Sequence, residues 1–236
     1  MTTDAHSPSS RLKASVEGPP ATATVERYRR FTRWIHVAVY LTVLTLMATG
    51  TWLLIGREGD PSPLSRLTGV SDAHLHVRTG WALVGVVLIG IVVGFRRAAS
   101  FAAESVRFQR TDLAWFRRWP AALVTGRFAR HDGQLDPGQR LANIALALTL
   151  LALIVSGVAM AVLHGGPAFV WLVRIHRWST YLLIPLIAGH VVIASGVLPG
   201  YRGVWRSMHL GGRLDARVAH RLWPSWTEQY RDQTGE

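Results

Sequence analysis

The chain of 236 residues contains no cysteine. A disulfide framework, a cysteine-ligated iron–sulfur cluster and a covalent C-x-x-C-H haem are therefore excluded. Any haem here would have to be b-type, held by side chains alone, and any cysteine-ligated cluster would have to sit in a partner subunit. Acidic residues are also scarce, 14 against 26 Lys and Arg, for a net charge of +12. Such a surplus raises nucleic acid as a partner. Here the basic residues alternate with long apolar runs, so membrane sidedness accounts for them and no nucleic acid is expected. A nucleotide-binding glycine loop and a nucleophile–base constellation are both missing, so no catalytic centre of either kind is expected in this chain. Residues 1–26, rich in Ser, Thr, Pro and Ala, lack the short apolar core and cleavage site of a signal peptide. They read as a flexible cytoplasmic tail.

What is present is apolar: 49% of the residues, ten tryptophans among them. Four runs are long enough to span a bilayer, at 34–55, about 76–95, about 140–163 and 174–199. The fold class predicted is an all-α integral membrane protein, a four-helix bundle over 27–198, multi-pass in the cytoplasmic (inner) membrane. Its orientation follows from the arginines. Six Lys or Arg lie in 1–34, nine in 96–140 and six from 199 onward, whereas the other two connections hold only Arg57, Arg66 and Arg174. Basic excess marks the cytoplasmic side, so both termini and the 96–140 connection are placed inside. That connection interleaves aromatic and arginine residues, as an amphipathic helix at the inner interface would. Residues 199–236 read as a cytoplasmic tail.

Four histidines sort by depth on this topology. His36 begins span one and His190 lies toward the inner end of span four, while His76 and His176 open spans two and four on the outer side. Fourteen residues separate His176 from His190, about 21 Å of helix and close to four turns. The two imidazoles thus share a face at two depths of a hydrocarbon core about 30 Å thick. Intramembrane histidine is a functional hypothesis by default. Facing pairs from two helices are how a bundle clamps a cofactor, and two axial histidines make a six-coordinate haem suited to electron transfer. Two stacked haems explain the spacing, with His36 and His190 as the inner pair and His76 and His176 as the outer pair. His74 rivals His76, which is preferred because Gly80 follows it on the same face. Gly80 and Gly189 would let a macrocycle approach the backbone, and Pro185 bends span four. His6, His131, His164, His209 and His220 are expected to be solvated.

Arg78, Arg174 and Arg177 at the outer pair, and Arg30 and Arg33 at the inner, are candidates to bind haem propionates. Asp136-Pro137-Gly138-Gln139 has the pattern of a capping box at the start of span three. At that depth Asp136 and Gln139 also suit a quinone, the amide as hydrogen-bonding group and the carboxylate as proton relay.

Several stretches, covering about 27–228, together resemble the gamma, or cytochrome b, subunit of membrane-bound respiratory formate dehydrogenases. They are R-x-x-R-W-I-H before span one, H-x-x-x-G opening span two, G-Q-R before span three, I-H-(x13)-H in span four, and G-Y-R-G-V-W-R-S-M after it. The resemblance implies two haem b groups on the pairs already named. It implies menaquinone or ubiquinone reduced near the inner haem, at a site including Asp136, Gly138, Gln139 and His190. As partners it implies an iron–sulfur subunit and a molybdopterin catalytic subunit, with assembly into a higher oligomer. Two departures stand out. Asp136 replaces the family's Asn, and Leu222-Trp223-Pro224-Ser225-Trp226 lacks both histidines of its C-terminal His-His-Pro-x-Trp. Cytochrome subunits of hydrogenases or thiosulfate/polysulfide reductases share the same wiring with different partners. A stand-alone superoxide:quinone oxidoreductase is a further alternative.

Overall fold

Inside a bilayer the backbone finds no water, so each apolar run satisfies its own amides as a helix. The computed structural model describes residues 23–56 and 60–234; most of the expected N-terminal tail, His6 and Arg57 lie outside the described residues. The four long helices are α1 (Arg30–Ile55), α3 (Asp72–Val93), α6 (Pro137–Val162) and α7 (Gly166–Ala194). Even α3, with 22 residues, is about 33 Å long and spans the hydrocarbon. Outward-facing Leu44, Leu88, Leu148 and Leu182 are all exposed, as lipid contact requires. The chain forms two hairpins, α1 against α3 and α6 against α7.

Every span begins earlier than the hydropathy pattern predicts, because polar first turns belong to α1, α3 and α6, and because in α7 Arg174, His176 and Arg177 interrupt the apolar pattern. The largest difference is in α7, which starts at Gly166 with Pro167 in its first turn and runs unbroken through Pro185. His176 is therefore ten residues inside α7 rather than at its opening. The helix ends before Ser195-Gly196, where Gly196 takes a left-handed φ of 71°. Between α1 and α3 the short helix α2 (Pro63–Thr68) is capped by Ser62, whose hydroxyl accepts from Ser65 N–H at 3.0 Å. Asp72 accepts both the amide and the hydroxyl of Ser62, pinning α2 to the start of α3.

The 96–140 connection contains α4 (Phe95–Ser105) and α5 (Asp112–Thr125). Exposed Phe95 and Phe101 on α4 stand among Arg96 and Arg97, the mixture expected of an interfacial helix. Arg140, fully buried, holds α4, α5 and α6 together. It meets Glu104 at 3.1 Å and Asp112 at 3.3 Å, and donates to the carbonyls of Arg107 at 2.7 Å and Asp132. A buried guanidinium is tolerable only with such pairing.

The segment expected as a C-terminal tail is folded. A 3-10 turn (Pro199–Tyr201), α8 (Trp205–His209), a strand Arg213–Asp215, α9 (Ala216–Leu222) and α10 (Pro224–Thr234) follow α7. That strand, β2, pairs antiparallel with β1 (Thr24–Glu26), Val25 opposite Leu214. The expected tail therefore ends before residue 24, and a two-stranded ribbon joins the otherwise helical fold. Val25, Tyr201, Leu214, Ala219, Leu222 and Trp223 are buried together in this terminal module. Arg27 lies 4.0 Å over Trp223 and 4.6 Å over Trp226, and donates to the Gln134 carbonyl at 2.5 Å. Such cation–π contacts, each worth about 0.5–2 kcal/mol, tie the start of the chain to its end.

Candidate cofactor-binding site

The helices bring the four histidines together in two facing pairs. His36 on α1 and His190 on α7 have ring centres 6.2 Å apart, and so do His76 on α3 and His176 on α7. Between the pairs lies an apolar layer of buried Val43, Leu83 and Leu183. Val43 follows His36 by seven residues, Leu83 follows His76 by seven, and Leu183 is midway between His176 and His190. A hydrocarbon plug thus separates two polar levels of one bundle. His74, the rival position, is exposed and bonds Ser71 at 2.7 Å.

The separation within each pair has a chemical meaning. Two metal–nitrogen bonds of about 2.0–2.1 Å, plus about 1 Å from each nitrogen to its ring centre, span about 6 Å. Each pair is therefore spaced to hold one metal ion between its rings. Among the described residues no group of three or more His, Asp or Glu could hold a bare metal ion. Two imidazoles suit an ion that brings its own equatorial ligands, and a haem does so.

The outer rings are oriented by hydroxyls. Thr49 Oγ1 lies 3.0 Å from His76 Nδ1, and Ser156 Oγ lies 3.0 Å from His176 Nδ1. A Cβ on Gly50 would come within 3.1 Å of the His76 ring, and one on Gly157 within 3.4 Å of the His176 ring. At the inner pair the His36 Nδ1 is buried without a hydrogen-bond partner. His209 of α8 is exposed, as expected, with its ring centre 6.0 Å from His36 and 6.2 Å from Tyr40. His131, by contrast, is not the solvated loop residue expected; it is buried, with Nε2 2.9 Å from the Leu222 carbonyl. Sequence reasoning missed Thr49, Gly50, Ser156 and Gly157, although a signal was available. T-V-L-T-L-M-A-T-G at 42–50 aligns with T-L-L-A-L-I-V-S-G at 149–157, so the two hairpins carry a repeat.

The arginine candidates divide. Arg33 donates to the carbonyls of Met208 at 2.9 Å and His209 at 3.4 Å, binding the terminal module. Arg78, Arg174 and Arg177 are exposed at the opposite end, Arg174 over Trp171 at 4.9 Å and Arg177 3.5 Å from the Tyr181 hydroxyl.

The Asp136–Gln139 turn forms the expected capping box. Asp136 Oδ1 accepts from Gln139 N–H at 2.8 Å, and Gln139 Oε1 accepts from Asp136 N–H at 3.2 Å and from Trp223 Nε1 at 3.1 Å. Gly138 lets Trp115 pack so close that a Cβ would meet its ring at 2.8 Å. These contacts run to the terminal module and α5, none of them to His190. Burial raises the Asp136 carboxyl above the usual carboxylate range, against the lowering pull of the Gln139 N–H, His131 and Arg27. Burial raises the neighbouring Tyr201 phenol too, with the Asp136 charge adding to it.

A family model described as prokaryotic cytochrome b561 matches residues 27–211. The match takes in all four spans and all four paired histidines. No curated protein matches the chain.

Proposed function

The chain belongs to the prokaryotic cytochrome b561 family, and on that premise we propose that it is the di-haem, quinone-linked subunit of a membrane oxidoreductase. As a family member it is a multi-pass membrane protein and a b-type cytochrome with an electron-transfer role. The observation that carries the finer reading is the pair of 6.2 Å ring separations at two levels of one bundle. In this reading His36 and His190 hold the inner haem, and His76 and His176 the outer one. When bound, the two haems supply one-electron carriage across the membrane. The chain's residues do the rest: four imidazoles fix the two positions, and the Val43–Leu83–Leu183 layer keeps water from between them. Exposed Arg78, Arg174 and Arg177 offer guanidinium groups for outer carboxylates.

The arginine distribution supports a cytoplasmic position for the terminal module. An iron–sulfur partner then delivers electrons at the outer end, and menaquinone or ubiquinone accepts them at the inner end. Asp136, with its raised pKa, is the proton-holding group offered there beside Gln139. Formate oxidation by a molybdopterin partner is the donor reaction that the span motifs favour. A nickel–iron hydrogenase partner uses the same wiring.

Two measurements test this reading. Adding a short-chain quinone to the dithionite-reduced, desalted protein should reoxidise the b bands within the mixing time; bands that stay reduced contradict a quinone function. Tagged protein drawn from its native membranes should carry a molybdopterin and an iron–sulfur subunit. Nickel in their place reassigns the donor, and a chain that purifies alone contradicts the subunit role.

A further inference from the structure

The outer pair differs from the inner in having a hydroxyl on each ring, and the two hydroxyls are equivalent by position. Thr49 and Ser156 each stand nineteen residues after the first residue of a 26-residue helix, α1 and α6. A glycine follows each, and each bonds the histidine of the other helix in its hairpin. Both are almost fully buried, at 2% and 1% exposure.

The direction of these bonds is fixed by the remaining contacts. Thr49 Oγ1 donates to the Thr45 carbonyl at 2.9 Å, and Ser156 Oγ donates to the Ala152 carbonyl at 2.6 Å. A hydroxyl has one proton, and in both cases it is engaged one turn back in its own helix. Toward the histidine the oxygen can only accept. His76 and His176 must therefore carry their protons on Nδ1, which leaves the Nε2 lone pairs unprotonated. The glycines at 50 and 157 let the helix backbone lie close enough for this contact.

We propose that Thr49 and Ser156 are a matched pair of positioning residues that set the tautomer and the donor strength of the outer imidazoles. The inference rests on the haem assignment given above for His76 and His176. An imidazole whose Nδ1–H is held by an acceptor is a more basic ligand. It favours the oxidised, more positive metal, and so holds the outer potential down. His36 Nδ1 is buried without such a partner. The hydroxyls thus make the outer haem the lower-potential one, the order that drives electrons from the outer end inward.

The test is a potentiometric titration of the full-length, haem-loaded protein, followed optically, for wild type, Thr49→Val, Thr49→Ser and Ser156→Ala. Removing one hydroxyl should weaken binding of the oxidised relative to the reduced outer haem about tenfold. For a one-electron couple that is a rise of about 59 mV. The rise should appear in Thr49→Val and Ser156→Ala, be reversed in Thr49→Ser, and leave the inner potential in place. Loss of the outer haem from Thr49→Val but not from Thr49→Ser also supports the proposal. An unmoved outer potential in Thr49→Val, or an equal change in Thr49→Ser, overturns it. If wild type itself titrates as a single haem, the assignment of the outer pair fails rather than the role of the hydroxyls.

Discussion

At the scale of single residues, one substitution separates the cap that Asp136 gives α6 from the quinone-side role proposed for it. Its carboxylate caps α6, and asparagine caps as well as aspartate, so Asp136→Asn preserves the fold's geometry. Its pKa is raised in the fold, so the neutral form is the one the folded state favours. That contribution is fully present below the unfolded value of about 3.9 and is lost as pH rises through the raised value. Thermal midpoints measured across this range should show wild type losing stability relative to Asp136→Asn as pH increases; the opposite slope contradicts the burial argument. In the intact assembly the same variant should leave both haem spectra unchanged and lower quinone-linked turnover. Unaltered turnover would leave Asp136 with the cap alone. The paired histidines and the capping box were legible at this scale because each rests on local spacing. His209 was not, since only the terminal module's fold carries its ring to His36.

At the scale of elements, the join between the bundle and the 96–140 connection depends on Arg140. Replacing it by leucine removes the buried cation that Glu104 and Asp112, both largely buried, share. Breaking a buried charge pair in this way costs about 3–5 kcal/mol, which denaturant titration of the detergent-solubilised protein would read. Adding Glu104→Gln and Asp112→Asn should recover most of the loss; a neutral Arg140→Leu would contradict the join. The spans were visible in the sequence because twenty apolar residues have few other uses, but their starts were not. Arg174, His176 and Arg177 depress the local hydropathy, while Gly165 and Pro167 mark where α7 begins. Nor was the terminal module legible. Its strands have three residues each, and Val25 meets Leu214 across 189 positions of sequence, a pairing no local pattern announces.

At the scale of the whole molecule, two hairpins related by a repeat build the outer site symmetrically and the inner site asymmetrically. His76 and His176 come from the second helix of each hairpin, whereas His36 comes from a first helix and His190 from a second. The repeat carries Thr49-Gly50 and Ser156-Gly157 to matching places, and it carries Leu83 and Leu183 to the layer between the sites. One bundle thus presents two histidine pairs with different surroundings. The most direct test of this account is a reduced-minus-oxidised optical spectrum with haem quantitation on purified protein. It would be made beside single His→Ala variants at positions 36, 76, 176 and 190. Two b haems per chain are expected, falling to one in every variant, with 36 and 190 sharing one lost spectrum and 76 and 176 the other. Colourless protein from haem-replete cells, or haem loss that ignores these pairs, would contradict it.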